Sequence, residues 1–135
     1  MTFTIKTKGF NDIIDITSQI SKIVKESKLE DGVCVVFLPH STCAVTTMEY
    51  EDGLSEDLKN VLEKIAPMIT DYEHCKKWGD CNGYAHVLSA LLKTSLSVPI
   101  EKRNLALGTW QQIVLIDFDN RARERIINVK IIKEI

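Results

Sequence analysis

The sequence predicts an α+β fold: an antiparallel, β-sandwich-like single domain with two or three helices covering the sheet. Three observations predict it. Strand-length apolar or alternating runs recur along most of the chain, two or three segments carry helical spacing instead, and short turns join many of the strands. At 135 residues the chain suits one domain, residues 1–135, and at that size folding buries about two-thirds of the chain's surface, enough for a core without staples.

In order, residues 2–8 set Phe3, Ile5 and Thr7 against Thr2, Thr4, Lys6 and Lys8, the alternation of a half-buried strand. A short strand follows at Ile13–Ile16. Thr17 or Ser18 suits an N-cap, and Ile20, Ile23 and Val24 form a helical stripe that stops by Asp31-Gly32. Val33–Leu38 is a continuous apolar run, expected as a strand buried on both faces and ended by Pro39. Ala44–Tyr50 reads as the next strand. Over Glu51–Ile65, Leu54, Leu58, Val61, Leu62 and Ile65 mark the clearest amphipathic helix, ended by Pro67.

Residues 68–82 read as a long polar loop, and long loops in compact domains are often functional. A helix over Gly83–Leu92 follows, capped by Asn82 or Asp80. Strands are then expected at Ser95–Ile100, Leu105–Leu107, Ile113–Phe118 and Arg125–Lys133, with turns at Lys102-Arg103-Asn104 and Asp119-Asn120.

Seventeen basic against nineteen acidic residues leave a net charge of −2, with no global pull toward nucleic acid or anionic membrane. No apolar run reaches membrane-spanning length, and the N-terminus alternates instead of forming a signal core. Cys34, Cys43, Cys75 and Cys81 form no C-x-x-C pair, so they read as reduced thiols of a cytoplasmic protein. Cys43 and Cys81 lie near His40 and Asp80; they suit small buried fillers better than a nucleophile.

The chemistry centres on three histidines. His40 follows a strand end, His74 lies in the long loop, and His86 sits in the first turn of its helix, where the dipole favours the neutral ring. Helical geometry puts Tyr84, Val87, Leu88, Leu91 and Leu92 on one face and His86, Ser89 and Lys93 on the other. Brought together, His40, His74 and His86 suit zinc or another transition metal with one position open. No H-x-x-H spacing supports this, and surface or core roles for each ring stay open.

Asp80 could cap a helix or orient a ligating histidine. Glu49 reaches the side of His40 only if the chain bends or bulges at Ser41–Cys43. Gly108-Thr109-Trp110-Gln111-Gln112 suits either a pocket wall or a tight turn with a packed tryptophan. Arg121, Arg123 and Arg125 alternate, as an anion-binding row or a charged strand end would.

These segments resemble the YjbQ-like family, whose members are described as uncharacterised or as secondary thiamine-phosphate synthase. The resemblance rests on His40-Ser41-Thr42-Cys43-Ala44-Val45-Thr46-Thr47-Met48-Glu49, Tyr72-x-His74, Asp80-x-Asn82-x-x-Ala85-His86-x-x-Ser89 and Leu107-Gly108-Thr109-Trp110-Gln111-Gln112, in family order over residues 3 to 132. It implies a β-sandwich-like fold and a homotrimer. It also implies a divalent metal on His40, His74 and His86, with Glu49 and Asp80 as the family's acidic positions. Departures are Lys93 and Asn104, where the family often has glycine, and the order Ser41-Thr42.

The implied reaction joins a pyrimidine methyl diphosphate to a thiazole phosphate and releases diphosphate. Ser89, Lys93, Trp110, Gln111 and Arg123 are the expected contacts to such a small phosphorylated molecule. Magnesium suits diphosphate, whereas three histidines suit zinc, nickel or iron. Two other classes stay open: a hydrolase using metal-bound water, and a non-enzymatic metal- or anion-binding trimer.

Overall fold

The computed structural model describes residues 1–135. In chain order the elements are β1 (Thr2–Thr7), β2 (Asp12–Asp15), α1 (Thr17–Ser27), β3 (Gly32–Phe37), β4 (Cys43–Met48) and α2 (Asp52–Ile65). They continue as α3 (Glu73–Trp78), α4 (Gly83–Leu92), β5 (Ser95–Glu101), β6 (Asn104–Leu105), β7 (Gln112–Asp117) and β8 (Arg123–Lys133). The strands form two antiparallel sheets, one ordered β1-β8-β3-β5-β6 and the other β2-β7-β4.

Three layers result. Cys34, Val36, Val98, Ile127 and Val129 of the large sheet face Cys43, Val45, Ile113 and Leu115 of the small one, and α1 closes this sandwich with Ile16, Ile20, Ile23 and Val24. The other face of the small sheet, with Ile13, Ala44, Val114, Ile116 and Phe118, packs under Leu62 and Ala66 of the α2 region and Tyr84, Ala85 and Leu88 of α4. The β7 segment is buried on both faces because it is the middle strand of the middle layer.

Several expectations are corrected. The Val33–Leu38 run is not buried on both faces: Cys34, Val36 and Leu38 are interior, while Val33 and Phe37 are exposed on the uncovered side of the large sheet. Apolar composition alone does not tell a two-sided strand from a one-sided one. The 68–82 loop contains the short helix α3, so there are four helices. On α4 the buried face is Gly83, Tyr84, Ala85, Leu88 and Ser89, while Val87 and Leu91 are exposed. Of the predicted α2 stripe only Leu62 is fully buried; Leu54, Val61 and Ile65 stay exposed.

The caps differ too. Asn82 holds the N-cap position of α4 without a capping bond. At α1 the cap position falls to Ile16, and Asp15 accepts from the Thr17 N–H at 2.9 Å in place of a Thr17 or Ser18 cap. Glu51 does cap α2, accepting from the N–H groups of Gly53 and Leu54.

The register fixes two ends of the small sheet. Asp117 opposes both Cys43 and Asp12, and Gln112 opposes Met48 at the other end. No helix is long and apolar enough to cross a membrane.

Candidate functional site

His40 leaves the end of β3, and α4 is clamped beside it by three hydrogen bonds. The Leu38 N–H donates to the Thr94 carbonyl (2.9 Å), the Val45 N–H to the Lys93 carbonyl (3.2 Å), and the Ser89 hydroxyl to the Cys43 carbonyl (2.6 Å). Between these elements opens a cleft of about 280 Å³ lined by His40, Ser41, His86, Ser89, Lys93 and Thr94, with Ala90. The helical spacing read from the sequence thus brings His86, Ser89 and Lys93 to one cleft. Ser89 itself is buried and committed to the Cys43 carbonyl. The lining contains no carboxylate.

The Ile126 N–H donates to His40 Nε2 at 2.8 Å. A neutral imidazole has one free lone pair, so the ring proton then sits on Nδ1. Burial, reinforced by the charge of Arg125 and partly opposed by Asp117, holds His40 below the ordinary imidazole value. His86 is also held low, first by burial and then by its neighbour His74. The His74 and His86 rings lie 4.4 Å apart between centroids and tilted, and Asp80 Oδ1 stands 3.6 Å from His74 Nε2.

Behind the cleft is a buried ionic network. Arg125 donates through Nε to Asp117 Oδ2 (2.7 Å) and through Nη2 to Asp117 Oδ1 (2.8 Å) and the Thr42 hydroxyl (2.7 Å). Arg123 Nη2 stands 2.8 Å from Asp119 Oδ2. Burial pushes Asp119 up, but donors from Asn120, Thr42, Asn82 and Arg123 outweigh it and hold the carboxyl below the usual range. The network reaches the loop: the Asn120 side chain donates to the Asp80 carbonyl at 2.8 Å. The Asn82 amide stands among three neighbours, donating to Asp119 Oδ1 (3.3 Å) in one orientation and to Asp80 Oδ1 (3.1 Å) and His74 Nε2 (3.3 Å) in the other.

Other candidates lie elsewhere. Arg123 and Arg125 are spent on internal carboxylates and do not form an open anion row; only Arg121 is exposed. Glu49 is exposed beyond the far end of β4, which pairs without a bulge, so about 20 Å of strand separates it from the histidine end. Gln111 is at that far end as well: its Oε1 accepts from the Gly108 N–H (2.8 Å) and its Nε2 donates to the Thr47 hydroxyl (3.4 Å). Trp110 beside it is 71% exposed, so the packed-tryptophan turn is not what forms. No three His, Cys, Asp or Glu side chains converge as a metal-holding set within one chain. Cys43 is buried as expected, but Cys81 is exposed.

Sequence reasoning missed Thr42, Asp117 and Asp119 as parts of the site's frame. The signal was present: two carboxylates interrupt the apolar run Ile113–Phe118 and its flank, and a buried carboxylate needs partners.

The family model for UPF0047 protein YjbQ-like matches residues 1–134. A UPF0047 protein of Archaeoglobus fulgidus is 40% identical over 127 residues, covering 94% of this chain and 97% of that protein. The UPF0047 protein MJ1081 of Methanocaldococcus jannaschii is 34% identical over 131 residues, covering 96% and 91%. The crystal structure of a YbjQ-like protein of unknown function from Sulfolobus solfataricus superposes with a TM-score of 0.89 at 31% identity, over 99% of this chain and 97% of that one. A family protein from Clostridium acetobutylicum gives 0.89 at 36% identity, over 98% and 99%.

Proposed function

The chain belongs to the YjbQ-like UPF0047 family, and from its cleft we propose that it binds a small phosphorylated molecule and assists transfer with loss of diphosphate. One observation carries this reading: two imidazoles, an ammonium and hydroxyls line a cleft without a carboxylate. Lys93 supplies fixed positive charge, His40 offers its Nδ1–H, and Ser41 and Thr94 add hydroxyl donors. In the thiamine-phosphate synthase reaction that the family resemblance implies, the thiazole nitrogen attacks the pyrimidine methylene carbon. The carbon–oxygen bond to diphosphate breaks, and these donors stabilise the departing charge. His86, held neutral in the free protein, gains a proton as the anion binds. Calorimetry with inorganic diphosphate tests the reading. Saturable binding is expected, weakened roughly tenfold in Lys93→Ala, as loss of one charge-assisted contact would give. No binding by the parent would remove it.

A second reading has one observation in its favour, the adjacency of His74, His86 and Asp80. Two imidazoles and a carboxylate suit zinc. As arranged in one chain they do not amount to a ligand set, and His40 has its Nε2 lone pair committed to Ile126. Magnesium finds no carboxylate in the cleft, so its oxygen ligands would come from the diphosphate. Elemental analysis of untagged protein decides: one transition-metal ion per chain, lost in His86→Ala, would favour a metal enzyme, including a hydrolase, over the anion reading.

We also propose a homotrimer. A ring of three joins two different patches of each chain. Two exposed apolar patches support it: Val61, Ile65, Val87 and Leu91 on the helical layer, and Val33, Phe37, Ile126 and Ile132 on the large sheet. In such a ring the far-end residues Glu49, Trp110 and Gln111 of one copy would be available to the histidine end of the next.

A further inference from the structure

Two of the four thiols are placed differently from the rest. Cys34 and Cys43 have no exposed surface, and burial pushes them up to about 11 and about 12. Cys75 is half-buried on α3 and Cys81 is exposed at the start of the next segment. The Gly79 N–H donates to the Cys75 carbonyl at 2.8 Å, which folds the chain back at the turn between them. Cys81 then adopts φ +56°, a left-handed conformation costly for a residue with a Cβ. Its Sγ is turned back over Gly79, 4.0 Å from the carbonyl oxygen. Both cysteines line one cleft of about 300 Å³ with Met68, Thr70 and Tyr72. Both thiols open on this one cleft, and the neighbouring Cys75 pushes the Cys81 thiol up.

We propose that Cys75 and Cys81 are a modification site, a dithiol that closes to an intramolecular disulfide when the protein meets a peroxide. The Cys75 thiolate attacks one peroxide oxygen, the O–O bond breaks, and the leaving hydroxide takes a proton to become water. Cys75 is then a sulfenic acid. The Cys81 thiol attacks that sulfur, the S–O bond breaks, and a second water leaves with the thiol's proton. Two thiols and one hydrogen peroxide give one disulfide and two waters. Cys34 and Cys43 take no part, because buried thiols in apolar surroundings are inert. Cys75 adjoins His74 and Cys81 adjoins Asp80, so closure resets the 3.6 Å separation of that ring and carboxylate. The inference needs neither the anion nor the metal reading.

The test is peptide mapping of the full chain after hydrogen peroxide treatment and alkylation. Alkylatable thiols in the unfolded chain are expected to fall from four to two, and dithiothreitol to restore them. Trypsin cuts at Lys76 and Lys77 between the two cysteines, so the bond is read as a joined pair of peptides. In Cys81→Ser, the Cys75 sulfenic acid should persist and be trapped by dimedone. Four thiols retained, a bond between chains, or a bond involving Cys34 or Cys43 would overturn the proposal.

Discussion

Arg125 and Asp117 are each less than a tenth exposed, and each supplies the other's charge balance. Replacing Arg125 by Met leaves Asp117 buried without its cation, while Asp119 keeps Arg123. The expected loss is about 3–5 kcal/mol, the range for breaking a buried ion pair by removing one partner. Urea denaturation measures it. His40 and His86 give a second prediction. Both rings lie below 6.5 in the folded chain, so the unfolded chain takes up more protons as pH falls. Their contribution to stability is complete above about pH 6.5 and is lost as pH drops from there toward the folded values. The urea midpoint should fall over that window, and less steeply in His86→Gln. A slope unchanged in that variant would count against a depressed His86. The sequence located all three histidines, but not the lone pair His40 gives to Ile126, because a contact across 86 positions has no local signature.

At the scale of elements, the α3–α4 corner holds His74 beside His86, and Gly83 lets it form. A Cβ on residue 83 would stand 2.6 Å from Tyr72 Cβ and 2.8 Å from its Cγ. Gly83→Ala should therefore push the segment before α3 away from α4, at about 1–3 kcal/mol. The His74 ring resonances should shift while those of His40 hold. Strands and helices were legible from periodicity to within a few residues at most boundaries. The polar loop hid α3 because Glu73–Trp78 is too short and too charged to show an apolar stripe. The α4 face was misjudged because Ala85 and Ser89 are small enough to pack against β4, which leaves Val87 and Leu91 outside.

For the whole molecule, the two sheets and the helical layer account for the core, and leave Ile65 (56% exposed) and Leu91 (57%) without a partner in one chain. If the homotrimer covers them, Leu91→Asp should convert a trimer to a monomer in light scattering while circular dichroism stays unchanged. A parent that is already monomeric would remove the trimer. Residue patterns gave the antiparallel sandwich, yet not the separation of Glu49, Trp110 and Gln111 from the histidine end. That separation follows from an unbroken β4 register, whereas sequence proximity to shared motifs suggested one site. At this scale the His40–His86–Lys93 cleft is proposed as an anion site. The most direct measurement is the imidazole nitrogen spectrum of the three histidines during titration with inorganic diphosphate. Expected are a free His40 carrying its proton on Nδ1, saturable shifts of His40 and His86, and movement of His86 toward the protonated form. A His40 proton on Nε2, or rings that do not respond to diphosphate, would contradict it.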